Sequence, residues 1–195
     1  MKIHNTFDVT KPIDQAWDLL TDIESIVSCM PGAELTESLA DNCYKGRVSV
    51  KLGPVILTFD GMARFDEMDL VNHRARVSAQ GSDKKGRGGA TADIIFRLEP
   101  SDNRTKVLID TDLVLSGSVA QYGRGSGMIN ELASQLVQQF ADSLHRKISN
   151  SKLSGHEKKG RASESSMAAI PLLDLVWKTM WVKVVKAARI ILGRA

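Results

Sequence analysis

The side chains able to act as nucleophiles, bases or metal ligands are few in this chain, and their spacing argues against each role. Cys29 and Cys43 lie fourteen positions apart with no CxxC and no histidine company, so neither a structural zinc nor a disulfide framework is expected. His4, His73, His145 and His156 fall on a strand, a strand start, a helix and a polar segment, and no two share metal-ligand spacing. The serines include no GxSxG elbow. Gly86-Arg87-Gly88-Gly89 lacks the spacing of a phosphate loop and sits between two strands, with no helix N-terminus to receive an anion. Gly123-Arg124-Gly125-Ser126-Gly127 has Met128 where a dinucleotide fingerprint needs glycine. No catalytic constellation emerges, and the expectation is a non-enzyme with no bound metal.

What remains is a pattern suited to holding an apolar molecule. From residue 34 to residue 118 the sequence alternates with period two. Val55, Leu57, Phe59, Gly61, Ala63 and Phe65 share one side, as do Ala90, Ala92, Ile94, Phe96 and Leu98, and Val107, Ile109, Leu113 and Leu115. Asp60, Asp66, Asp110 and Asp112 belong to the opposite, solvated side. The apolar side is rich in small residues, with Gly61, Ala63, Ala75, Ala79, Ala90 and Ala92 where a core packed on a helix uses Leu or Ile. Two readings follow: room for a ligand, or close approach of a helix backbone.

The elements that must position this face are legible. Ile3, Asn5, Phe7 and Val9 alternate with polar residues as a first strand. Pro12 opens a helix carrying Ile13, Ala16, Trp17, Leu20, Ile23 and Val27 at helical spacing, and Met30-Pro31-Gly32 stops it. Strands are expected at 34–38, 43–51, 55–68, 73–82, 89–99 and 105–117, with connections short enough for antiparallel hairpins. From Met128 to Ile148 a long amphipathic helix carries Ile129, Leu132, Leu136, Val137, Phe140, Leu144 and Ile148 in one stripe. The fold class is therefore α+β: strand, helix, six strands forming one curved antiparallel sheet, and a long helix as its lid.

Charge divides the chain. Residues 149–195 hold nine basic and three acidic side chains, against 17 and 20 in residues 1–148, so an acidic domain carries a basic tail. An acidic domain of 5% aromatic content is a poor stacking platform for nucleic acid. Residues 149–166, with six serines, two glycines and six charged residues, read as a flexible linker. Residues 167–195 read as an amphipathic helix opened by Pro171 and closed by Gly193. Lys178, Lys183, Lys186 and Arg189 lie on one side, and Trp177 and Trp181 on the other with Leu173, Met180, Val184 and Ile191. Lys183 near its middle argues against spanning a bilayer, at about 2.5–3.5 kcal/mol per central charge. An anionic membrane surface suits it better, each basic residue contributing about 1 kcal/mol; docking on protein is the alternative. With no apolar leader segment at the start and two unpaired thiols, a cytoplasmic location is expected.

Several pieces carry a family likeness. They are Pro12-x-x-x-Ala16-Trp17-x-x-Leu20-x-Asp22, Cys29-Met30-Pro31-Gly32-Ala33, Gly61-x-Ala63, and Ser116-Gly117-x-x-Ala120-Gln121-Tyr122-Gly123-Arg124-Gly125 before a helix ending near Phe140-Ala141. In order and spacing over residues 1–148 they resemble the carbon monoxide dehydrogenase G-subunit family, within the START-like (SRPBCC) superfamily. The resemblance implies a helix-grip fold, a curved antiparallel sheet wrapped around a long C-terminal helix with an apolar cavity between. It also implies a non-catalytic accessory of a molybdenum-containing carbon monoxide dehydrogenase or related hydroxylase. That accessory holds the oxidoreductase at the cytoplasmic side of the cell membrane and links it to the quinone pool. A respiratory quinone, menaquinone or ubiquinone, is the implied ligand. The candidate cavity residues are Phe59, Gly61, Ala63, Phe65, Phe96, Leu115, Tyr122, Met128, Leu132 and Leu136, with Tyr122 as the polar handle. The candidate membrane-binding residues are Trp177, Lys178, Trp181, Lys183, Lys186 and Arg189. Two rivals stand beside this: a helix-grip enzyme of the cyclase or hydrolase kind on a hydrophobic substrate, and a docking protein with a filled core.

Overall fold

The computed structural model describes residues 1–123 and 126–157. Strand β1 (Lys2–Val9) leads into helix α1 (Ile13–Thr21), the short helix α2 (Ile23–Ile26) and a tight turn of helix over Val27–Cys29. Six strands follow: β2 (Ala33–Ser38), β3 (Cys43–Leu52), β4 (Val55–Asp69), β5 (Arg74–Asp83), β6 (Gly89–Ser101) and β7 (Arg104–Leu115). A tight turn at Gly117–Val119 and helix α3 (Ala120–Gly123) precede the long helix α4 (Ser126–Glu157).

All seven strands form one antiparallel sheet in the order β1-β7-β6-β5-β4-β3-β2. The hairpins pair neighbours as their short turns require, while the helical link from β1 to β2 carries the chain between opposite edges. Register shifts at Thr36 in β2 and Asp66 in β4 insert one extra residue each and bend the sheet.

Three boundaries differ from expectation, each for a local reason. The first helix breaks at Asp22, whose backbone leaves helical geometry and whose carboxylate accepts from the Ser25 amide at 3.0 Å, capping α2. Strand β7 stops at Leu115, because Gly117 turns the chain with φ +63° and lies against the Arg87 carbonyl. Helix α4 runs nine residues past Ile148, through a segment read as the start of the linker. Extending a formed helix adds a hydrogen bond per residue without a new nucleation step, so polar composition alone does not end it. The rest of the linker and the whole 167–195 helix lie outside the described residues.

Two apolar clusters hold the sheet to its helices. The larger gathers Phe7, Val9, Trp17, Leu20, Ile26, Phe65, Leu98, Val107, Leu144 and Ile148. Within it Phe7 meets Phe140 edge-on at 5.5 Å, which seats α4 on β1. Trp17, Phe96, Phe65 and Tyr44 form a chain of ring contacts at 6.0–6.4 Å that runs from α1 to β3. The smaller cluster, Ile3, Leu52, Leu57, Val119 and Ile129, closes the other end beneath the start of α4.

Among the described residues one carboxylate is buried. Asp83 ends β5 with no exposed side-chain surface and accepts from the Arg87 guanidinium twice at 2.8 Å and from the Lys85 amide at 3.0 Å. Arg87 also donates to the Ile56 carbonyl at 2.9 Å, tying the β5–β6 turn to β4. The Arg87 hydrogen bonds hold the Asp83 carboxyl far below the usual carboxylate range. A group depressed in the folded state adds stability above its unfolded value, near pH 4, and loses it as pH falls further. Asp83→Asn should therefore lower the urea midpoint at pH 7 and flatten its fall between pH 4 and pH 2, as read by circular dichroism.

Candidate functional site

The register across the sheet lines small residues up in two rows. Gly46, Gly61, Gly81 and Ala90 are successive partners across β3, β4, β5 and β6. One step along, Ala63, Ala79 and Ala92 are successive partners, with Tyr44 at the β3 end. Four strands at sheet spacing make a trough roughly 14 Å across.

No described residue of α4 fills this trough. The helix rests on β1, α3 and the turn at Val27–Cys29, and the space above the small residues remains a cavity of about 300 Å³. Val27 and Met30 roof it, and Ala33, Leu35 and Val48 form the wall on the β2 side. Phe59 bounds it toward the smaller cluster and Tyr44 toward the larger, so the cavity lies between the two clusters. Val48 is on the inner face and still 42% exposed, which marks where the cavity opens. The volume is at the lower end for small-molecule sites.

The glycines have a second cause besides room. A Cβ on Gly61 would stand 2.1 Å from the Gln80 carbonyl oxygen and 2.7 Å from the Gly81 Cα. One on Gly46 would stand 2.8 Å from the Glu34 carbonyl oxygen. The close approach is therefore strand on strand, where the sheet bends, rather than helix on sheet. Alanines at 63, 79, 90 and 92 complete the open floor.

The wall is apolar with few polar groups. Arg47 is held by Asp60 at 2.8 Å and Glu34 at 3.4 Å. Tyr44 is the hydroxyl-bearing side chain on the wall; its ring meets Phe65 edge-on at 6.4 Å. Burial, then the charges of Glu24 and Asp22, push its hydroxyl above the usual phenol range, so it stays protonated. Three histidines are engaged elsewhere: His4 with Asp110 at 2.5 Å, His73 with Asp14 at 3.0 Å, and His145 with the Asp8 carbonyl at 2.9 Å. Among the described residues no group of His, Cys, Asp and Glu is placed to hold a metal ion.

Residues 6–149 match the family model for the G subunit of carbon monoxide dehydrogenase (CoxG). The chain belongs to that family. Its fold is similar to that of a conserved protein from Geobacillus kaustophilus, at TM-score 0.68 and 19% identity, covering 77% of this chain and 97% of that one. A protein from Thermus thermophilus follows at 0.56 and 13%, covering 77% and 99%. The Zhui aromatase/cyclase from a Streptomyces species is similar at 0.53 and 15%, covering 85% and 99%. At such identities the likeness shows the fold, a helix-grip. No curated protein matches the sequence significantly.

In this CoxG-family domain the residues singled out from sequence separate by location. Phe59, Gly61 and Ala63 line the cavity. Phe65 and Phe96 pack in the larger cluster, and Leu115, Tyr122 and Leu132 in the smaller. Met128 is 56% exposed and Leu136 is half-buried; neither lines the cavity. Helical periodicity identified the inward stripe of α4 but not which strands it covers. Tyr44 was missed, although β3 alternates as cleanly as its neighbours: Tyr44, Gly46, Val48 and Val50 against Lys45, Arg47, Ser49 and Lys51. Trp177, Lys178, Trp181, Lys183, Lys186 and Arg189 lie outside the described residues. Among the described residues no helix is long and apolar enough to cross a membrane.

Proposed function

We propose that this chain is a non-catalytic accessory of a molybdenum-containing carbon monoxide dehydrogenase. Its helix-grip cavity takes a respiratory quinone, menaquinone or ubiquinone, and its basic tail rests on the anionic cytoplasmic face of the cell membrane. The observation that carries the reading is the open apolar cavity, floored by aligned small residues, in a domain of the CoxG family. A flat ring system fits such a trough, and a prenyl chain leaves past Val48. Among the described residues the wall includes no His, Cys, Ser or Asp, and the carboxylate there, Glu34, is paired with Arg47. That leaves a cyclase or hydrolase without the nucleophile or base it needs.

The tail supplies the membrane half of the reading, through Trp177 and Trp181 on its apolar side and Lys178, Lys183, Lys186 and Arg189 on its basic side. Removing residues 158–195 should abolish sedimentation with vesicles containing phosphatidylglycerol, while quinone affinity stays within about two-fold of the full chain. Sedimentation that survives the truncation overturns the tail as anchor.

A further inference from the structure

We infer that Tyr44 is the polar contact by which the cavity selects its ligand, and that the ligand is a neutral apolar molecule bearing a hydrogen-bond acceptor rather than a carboxylate. The inference rests on the cavity being a binding site and deepens that reading.

Tyr44 stands where the cavity meets the larger cluster, its ring fixed edge-on to Phe65 and its hydroxyl open to water, making no hydrogen bond to a described residue. A hydroxyl that a ligand strips of water keeps a hydrogen bond when the ligand offers an acceptor and costs binding energy when an apolar surface covers it. Because the hydroxyl remains a phenol, it offers a proton, and the group it suits is a carbonyl, ether or ester oxygen.

The charges around it decide the second half. Glu24 and Asp22 are the carboxylates whose fields reach the Tyr44 hydroxyl. Neither is cancelled by an ion pair among the described residues: Glu24 accepts from the Ser38 hydroxyl at 2.8 Å, and Asp22 caps the Ser25 amide. Arg47 alternates with the inward Tyr44, Gly46 and Val48, and its guanidinium meets Asp60 and Glu34 on the outer face. Lys147 is held by the Ser25 carbonyl, 3.5 Å from the Ser28 hydroxyl, and is not among the residues that line the cavity. A ligand carboxylate would add a negative charge within reach of the Asp22 and Glu24 fields and lose its hydration, with no cationic head among the described residues turned into the cavity to receive it. Quinones and esters meet the acceptor requirement without that penalty; free fatty acids do not.

The test uses the full chain and its Tyr44→Phe variant, which keeps the ring that packs on Phe65. Four probes are titrated by tryptophan quenching or competition: ubiquinone with one isoprene unit, methyl palmitate, palmitate, and diphenylhexatriene, a hydrocarbon without an acceptor. The expected pattern is methyl palmitate bound at least ten-fold tighter than palmitate by the wild type. Tyr44→Phe should weaken the quinone and the ester about five- to ten-fold, as loss of one hydrogen bond implies, and leave diphenylhexatriene unchanged. Equal affinity of wild type and variant for the quinone and the ester overturns the inference, as does a uniform loss for all probes. A wild type that binds ester and hydrocarbon but not quinone removes the quinone reading while the Tyr44 contact stands. A wild type that binds none of the four removes both.

Discussion

Ala63→Trp is expected to leave a folded protein that no longer takes up its ligand, with affinity down more than about 30-fold, or about 2 kcal/mol. Ala63 sits mid-trough between Tyr44 on β3 and Ala79 on β5, and an indole there occupies much of a hollow of about 300 Å³. The same indole has Tyr44 and Ala79 beside it across the ladder and open cavity above Gly61, so thermal stability should be unchanged or higher. Filling a cavity commonly adds about 0.5–2 kcal/mol. Quinone titration and a melting curve on the same sample check both halves. Retained affinity would place the ligand elsewhere in the molecule; lost affinity with a lower melting temperature would show only a damaged fold.

Gly61→Ala should behave in the opposite way, costing about 3 kcal/mol or more of folding stability in urea titration. Its Cβ would meet the Gln80 carbonyl oxygen at 2.1 Å, and that oxygen belongs to β5, held on its far side by β6. Relief requires β4 and β5 to part, with loss of ladder hydrogen bonds on both sides of the contact. Gly127→Ala is the control: a Cβ there meets nothing within 4 Å, and alanine in the first turn of α4 is worth about 0.5–1 kcal/mol in the stabilising direction. A neutral Gly61→Ala would mean that the sheet does not bend as tightly as described. The contrast also makes Ala63, and not Gly61, the residue at which to block the cavity.

Much of this architecture could be read from residues alone because its signals are periodic and local. The alternation along β4, β6 and β7 identified the inner face, and the same alternation showed that its middle is made of Gly and Ala. Turn residues located the hairpins, and the three- and four-residue spacing from Ile129 to Ile148 marked the inward stripe of α4. What the sequence left open depended on contacts between distant elements. The position of α4 over β1, which removes Met128 and Leu136 from the cavity, is set by Phe7–Phe140 packing and not by the pattern of either strand. The demand for glycine at position 61 arises from a carbonyl nineteen residues away. The place of Tyr44 on the cavity wall depends on the pairing of β3 with β4, which sets it opposite Ala63.

The most direct test of the central claim is native mass spectrometry of the full-length protein, purified in mild detergent and incubated with short-chain menaquinone or ubiquinone. The account predicts a one-to-one complex at the mass of the quinone, present for the wild type and absent for Ala63→Trp. A wild-type protein that stays empty under those conditions, or an Ala63→Trp variant that carries the same adduct, would contradict it.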